Sequence, residues 1–277
     1  MRIKIGICGV GSFANSFIPL FKAYPQVAEV ILCDLDAVKL KEKAERFGVS
    51  EVCSSLDQLC RTDVDAIALF TQHHLHGPQA VQALQNGKHV YSAVPPAVSL
   101  PEITELIRTV EQTGKIYMLG ETSYYYPCAI YCRQRFGQGD FGAAVYAEVE
   151  YYHDYSHGLY QVAQWRHGSE WEKYYGKPPL FYPTHSVSMV VSVTKAYATH
   201  VCGMGVVDRH EDNLFSMPVK TTSGKTPSVM KLSSAECRMA VQPVSMNSAE
   251  LATRVQLACG YTAPRPAMKN RSATKCG

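Results

Sequence analysis

The feature that most constrains this chain is the run Lys4-Ile5-Gly6-Ile7-Cys8-Gly9-Val10-Gly11-Ser12-Phe13-Ala14. An apolar strand-like stretch stops at glycines, and a helix-compatible stretch begins directly after it. Gly9, Gly11 and Ala14 have the G-x-G-x-x-A spacing of a dinucleotide-binding turn. Each small residue has a physical task. Gly9 permits the tight turn, Gly11 lets the backbone approach a pyrophosphate, and Ala14 lets the helix pack close to the strand. The start of that helix offers free N–H groups and a positive dipole end to phosphates. Gly9, Val10, Gly11, Ser12, Phe13 and Ala14 are therefore the first candidate cofactor contacts.

The next segments of the chain agree with such a turn. Ser12 to Tyr24 predicts a helix, with Phe13, Phe17, Leu20 and Phe21 on one face and Pro19 inside it. Val27 to Cys33 predicts the second strand, and Asp34 sits at its end. In a dinucleotide fold a carboxylate there accepts hydrogen bonds from the adenosine ribose and repels a 2′-phosphate. Asp34 and Asp36, with no cation before Lys39, favour NAD over NADP. Strand and helix then alternate: Ala37 to Phe47 helix, Val52 to Ser54 strand, Leu56 to Cys60 helix, Val64 to Phe70 strand. Pro78 to Gln85 (helix), His89 to Val94 (strand), Pro101 to Thr113 (helix) and Ile116 to Leu119 (strand) continue the series. The continuous apolar run in Val64 to Phe70 is that of a strand covered on both faces. This alternation predicts an α/β fold with a doubly wound parallel sheet over residues 1–122.

Residues 123–277 read differently. Pro127 to Phe136 predicts a helix, and Ala143 to Tyr152 alternates as a half-exposed strand. Thr184 to Thr194 predicts a helix and Ala196 to Val207 a strand, so the expectation is an α+β domain with an open, mostly antiparallel and incomplete sheet. Past Phe215 the pattern breaks. Of 28 aromatic residues only Tyr261 lies beyond it, and one short stretch, Ala249 to Leu257, is helix-compatible. Residues 216–277 thus read as an irregular tail: a divergent, truncated or frame-shifted end.

Composition excludes several classes. The formal charge is +3, but residues 216–277 alone carry +7 in scattered Lys and Arg almost without aromatics, which is no nucleic-acid surface. No apolar run approaches the roughly 20 residues of a membrane span. The short N-terminal apolar run is a strand rather than a signal peptide. Ten cysteines are scattered without a CxxC pair, as expected of reduced thiols in the cytoplasm. His73, His74 and His76, and separately His153, Asp154 and His157, cluster in sequence, but zinc needs three or four converging ligands and none is expected at either group.

By its G-x-G-x-x-A turn, Thr71-Gln72-His73-His74-Leu75-His76, Gly87-Lys88-His89-Val90, and Trp165-Arg166 upstream of His185, the chain resembles the glucose–fructose oxidoreductase / inositol dehydrogenase (Gfo/Idh/MocA) family over about residues 1–215. That resemblance implies cofactor contacts at Thr71, His73 and His76, where the family has T-P-N-x-x-H near the nicotinamide, and at Ala93 and Pro95. It implies a catalytic His185, with Trp165 and Arg166 toward the substrate, while Tyr182 beside it suits packing or a substrate contact. Tyr125, in the tyrosine run Tyr124-Tyr125-Tyr126, suits either a sugar face or a subunit interface. Two departures stand out. Ala93-Val94-Pro95 replaces the family's Glu-Lys-Pro, so the lysine that assists proton transfer is absent. Phe181-Tyr182-Pro183-Thr184-His185 keeps only the histidine of D-x-G-x-H. The family implies an NAD-dependent oxidoreductase for a sugar, polyol or inositol-like hydroxyl, and a homo-oligomer. The lost lysine leaves two alternatives open: elimination or glycoside cleavage without net redox, and nucleotide binding without catalysis.

Overall fold

A computed structural model of the chain describes residues 2–144, 146–151, 164, 168–171, 182–199, 201 and 255–258. The chain divides into two units: residues 1–122 with 163–184, and residues 123–162 with 185–277.

The first unit is built on β1 (Ile3–Cys8), β2 (Val27–Cys33), β3 (Val52–Cys53), β4 (Ala66–Leu69), β5 (His89–Ser92) and β6 (Tyr117–Leu119). They form one sheet in the order β3-β2-β1-β4-β5-β6. Every pairing in it is parallel. The connecting helices are α1 (Ala14–Ala23), α2 (Ala37–Phe47), α3 (Leu56–Arg61), α4 (His76–Gln85) and α5 (Leu100–Thr113).

β4 reads as an unbroken apolar run, and β1 and β2 are buried over their last four residues, because both faces are covered there. Ile5, Ile7, Val30, Leu32, Ala68 and Phe70 join one core cluster with Ile18 of α1. Cys8, Ile31, Cys33, Ile67 and Leu69 join another with Leu59 of α3 and Leu84 of α4. The period of two along each strand sorts alternate residues to opposite faces. Each fully buried Leu or Ile contributes about 1.5–3 kcal/mol relative to exposure, so these two layers hold the sheet.

The elements lie where the sequence places them, with shifts at their ends. Ser12 and Phe13 form a turn ahead of α1, and α4 begins two residues earlier than Pro78, after a short 3-10 turn at His73–Leu75. Asp36 caps α2 by accepting from the Val38 and Lys39 backbone N–H groups, and Ser55 caps α3 by accepting from that of Gln58. Both caps meet donors that a helix start cannot satisfy internally.

In the second unit, α6 (Pro127–Gly137), β7 (Ala147–Glu150) and α7 (Pro183–Thr194) share a core of Ala129, Cys132, Ala147, Val149, Met189, Val190 and Val193. Three expectations change here. The strand expected over Ala143 to Tyr152 is short, and Glu148, on the face expected to be open, is 5% exposed. Alternation alone does not reveal that both faces are covered. Residues Ala196 to Thr199 are not strand, while most of the remainder of that expected strand lies outside the described residues. Finally β8 (Val255–Ala258) is a strand, not the end of a helix, and it pairs with β7 in parallel rather than antiparallel fashion. A partner this distant along the chain is not bound to the antiparallel geometry of a hairpin.

Candidate functional site

At the centre of the first sheet the chain runs from β1 through the glycine turn into α1. Gly9 has φ +91°, and a Cβ there would lie 2.6 Å from the Phe70 carbonyl oxygen. The turn therefore presses against the end of β4, and only glycine fits the position. Gly11 differs: a Cβ built on it meets nothing within 4 Å. The space in front of Gly11 is open, a cradle that a side chain would fill. Val10 and Ala14 are fully buried, Ser12 is exposed and Phe13 is half exposed, its ring 4.9 Å from Phe17 and 5.6 Å from Phe70. No side chain caps α1, unlike α2 and α3. The Asn15 and Ser16 N–H groups donate to the Ser12 and Phe13 carbonyls, and no side chain competes with an anion for the helix start.

Asp34 reaches this turn from the end of β2. Its Oδ2 accepts from the Val10 N–H at 2.9 Å and its Oδ1 from the Asp36 N–H at 3.0 Å. Each oxygen retains a lone pair, so the fixed carboxylate can still accept from a ribose hydroxyl. An open glycine cradle, an uncapped helix start and an oriented carboxylate fit a dinucleotide with a free adenosine 2′-hydroxyl.

Beyond β1, the loops after β4 and β5 hold the remaining cofactor candidates. Thr71 Oγ1 bonds Gln79. His73 stands edge-on to His76 at 5.9 Å and to Tyr182 at 6.0 Å, which brings Tyr182 to this loop. His76 is 1% exposed, with Nδ1 2.8 Å from the Pro95 carbonyl oxygen and Nε2 3.0 Å from that of Thr71. Burial pushes its imidazole below the usual histidine range, while the two carbonyls pull it back up. Both ring nitrogens of His76 thus face backbone carbonyls, one on each of the two loops. Ala93 and Pro95 are buried, so they offer backbone more than side chain. Val94 brings no titratable group to where the related family carries lysine.

Sequence reasoning missed Glu121. The Gly120 N–H donates to the Ser92 carbonyl at 2.7 Å, so Glu121 follows β6 directly beside the end of β5 and is 6% exposed. Nearby, burial pushes the Tyr117 phenol up to about 12. The signal that could have found Glu121 is a carboxylate at the carboxyl end of a parallel strand, where open α/β sheets bind ligands.

In the second unit His185 lies in the first turn of α7, 9% exposed, its ring 4.5 Å from that of Tyr151. Tyr125 is exposed and edge-on to Tyr124 at 5.0 Å. Trp165, Arg166, His153, Asp154 and His157 lie outside the described residues. Among the described residues, no group of three His, Cys, Asp or Glu side chains could hold a metal ion, and no helix is long and apolar enough to cross a membrane.

The sheet order, the glycine turn and Asp34 define a Rossmann dinucleotide-binding domain. Residues 3–121 match the family model described as "Oxidoreductase family, NAD-binding Rossmann fold". This region is an NAD-binding Rossmann domain similar to those of the Gfo/Idh/MocA oxidoreductase family. Curated relatives include a "Glycosyl hydrolase family 109 protein" of Saccharopolyspora erythraea, 29% identical over 206 residues, covering 69% of this chain and 44% of the relative. Another of the same name, from Porphyromonas gingivalis, is 30% identical over 162 residues, covering 55% of this chain and 35% of the relative. The chain thus spans less than half the length of these curated relatives. Among solved structures, scyllo-inositol dehydrogenase from Lactobacillus casei with bound NAD(H) and scyllo-inositol superposes with a TM-score of 0.59 at 20% identity, covering 70% of this chain and 57% of that one. Myo-inositol 2-dehydrogenase from Lactobacillus plantarum gives 0.58 at 17% identity over the same shares. At these identities the structures share the fold.

Proposed function

We propose that the chain is an NAD-dependent enzyme acting at a hydroxyl-bearing carbon of a carbohydrate-like molecule: a sugar, a polyol or an inositol. The observation that carries the reading is the open cradle at Gly11, set between an uncapped helix start and the Asp34 carboxylate. The backbone N–H groups at the start of α1 would hold the pyrophosphate, and Asp34 would hold the adenosine ribose and disfavour a 2′-phosphate. When bound, NAD supplies an acceptor for the hydride on the substrate carbon. The chain's own task is to take the hydroxyl proton. Imidazole suits proton transfer near neutral pH, and His185 is assigned that role from its match to the family motif. Glu121, the buried carboxyl beside β5, is the candidate for a second proton-carrying group where lysine is missing. Tyr182, Tyr125, Trp165 and Arg166 are assigned to the substrate. A homo-oligomer in the cytoplasm is compatible with this reading.

A second reading has its own support. Val94 stands where the related family's lysine assists redox chemistry, and the curated relatives bear the name glycosyl hydrolase. Glycoside cleavage that leaves NAD in its starting oxidation state fits both facts. The test is a panel of polyols, inositols and aryl glycosides incubated with NAD and the protein. Growth of NADH absorbance with a polyol supports the first reading. Aryl alcohol release without an absorbance change supports the second. Saturable NADH binding with neither outcome refutes both and leaves a nucleotide-binding protein.

A further inference from the structure

His76 opens α4, yet it is almost wholly buried and bridges two loops. Its Nε2 faces the carbonyl oxygen of Thr71, just past β4, and its Nδ1 faces that of Pro95, past β5. These strands are neighbours in register, Leu69 opposite Ser92, and the Ala93 N–H still donates to the Leu69 carbonyl at 3.0 Å. Beyond that bond the two chains leave the sheet, and the imidazole spans between them. An imidazole is rigid and carries its two nitrogens on opposite sides, so it sets the spacing of the loops it touches. A neutral ring has one N–H and donates to one of the two carbonyls. The other carbonyl oxygen lies against the remaining ring nitrogen without a hydrogen bond between them.

The sheet order says which part of a ligand these loops would meet. Asp34, on β2, marks the adenosine side, and the glycine turn after β1 marks the pyrophosphate. On the far side of β1 the neighbours are β4 and then β5, each about 4.8 Å further along the sheet. A dinucleotide lying along the carboxyl ends of the strands must carry its second half across the Thr71 and Pro95 loops.

We propose that His76 is a positioning residue that clasps the loops after β4 and β5 and so shapes the half of the dinucleotide site beyond the pyrophosphate, without itself touching the ligand. The inference rests on the NAD-binding reading and adds a division of labour within that site. The first half is held by the glycine turn and Asp34, and the second depends on the clasp.

The experiment is calorimetric titration of the full chain with two probes, NADH and ADP, which ends at the pyrophosphate. In His76→Gln, ADP affinity should stay within about twofold while NADH binding weakens about tenfold, the scale of one buried hydrogen bond. Equal loss for both probes, or loss for neither, overturns the proposal, since a merely structural role would move both together. Failure of the unaltered protein to bind either probe refutes the underlying NAD reading instead, and that outcome requires no variant. Should His76→Gln not fold, the unaltered protein labelled with ¹⁵N-histidine answers the question. The buried His76 ring N–H signal should shift when NADH is added and stay in place with ADP. A shift common to both probes, or none with NADH, overturns the clasp.

Discussion

Gly9 and Gly11, alternate residues of one turn, should respond in opposite ways to the same added methyl group. At Gly11 the backbone lies outside the left-handed region and a Cβ meets nothing within 4 Å. Gly11→Ala therefore introduces no clash and reduces the freedom of the unfolded chain, a stabilisation of about 0.4–1 kcal/mol. At Gly9 the φ of +91° strains any L side chain, and the Cβ would lie 2.6 Å from the Phe70 carbonyl oxygen and 2.8 Å from the Thr71 nitrogen. Those neighbours are backbone and cannot rotate away. Backbone strain of roughly 1–3 kcal/mol adds to a similar cost of overpacking, so Gly9→Ala should lose about 2–6 kcal/mol. Urea unfolding followed by circular dichroism reads both variants. The midpoint should rise slightly for Gly11→Ala and fall steeply for Gly9→Ala. Equal destabilisation of the two would refute the reasoning, because it would mean that the space before Gly11 is needed by the fold rather than kept for a ligand.

Buried groups give two further outcomes. Burial lowers the His76 pKa from its ordinary 6.5, so the unfolded chain binds more protons than the folded one below that value. Its contribution to stability is complete above about pH 6.5 and is lost as pH falls toward the depressed folded value. Between about pH 7.5 and about pH 5 the urea midpoint should fall in the unaltered protein, and the fall should flatten in His76→Gln. A slope unchanged by the substitution would contradict the assignment. The Cys33 thiol is held protonated by its hydrogen bond with Cys8 and by burial, and it is the thiolate that reacts. Alkylation should therefore spare Cys33 in the folded protein and reach it only under denaturant, as peptide mass analysis would show; rapid labelling of Cys33 in the native state would count against the burial described.

The parts legible in sequence share a cause. Strand β4 and the last four residues of β1 and β2 are apolar and buried because helices cover both faces, and the glycine turn announces itself because its spacing serves a local geometry. Asp34 was legible for the same reason, lying at the end of a strand whose function depends on sequence order. The second unit was harder to read. The alternation over Ala143 to Tyr152 suggests an open face, but Glu148 is buried, and no local pattern reports what a strand's polar face will meet. The pairing of Val255–Ala258 with Ala147–Glu150 is made far along the chain, so neither segment carries a sign of the other. Glu121 belongs to no motif and became visible only through the Gly120–Ser92 bond. His76 stands out in the sequence only by resemblance, and the two carbonyls its ring faces come from loops on different strands.

Everything proposed for this site depends on NAD being held at the turn between β1 and α1. Fluorescence titration with NADH tests it most directly, with Gly11→Val beside the unaltered protein. Saturable binding to the unaltered chain is expected, and its loss in Gly11→Val, with the variant's unfolding midpoint retained. Undiminished NADH affinity in a folded Gly11→Val protein would contradict it, since the valine would then share a cradle that has room for only one of the two.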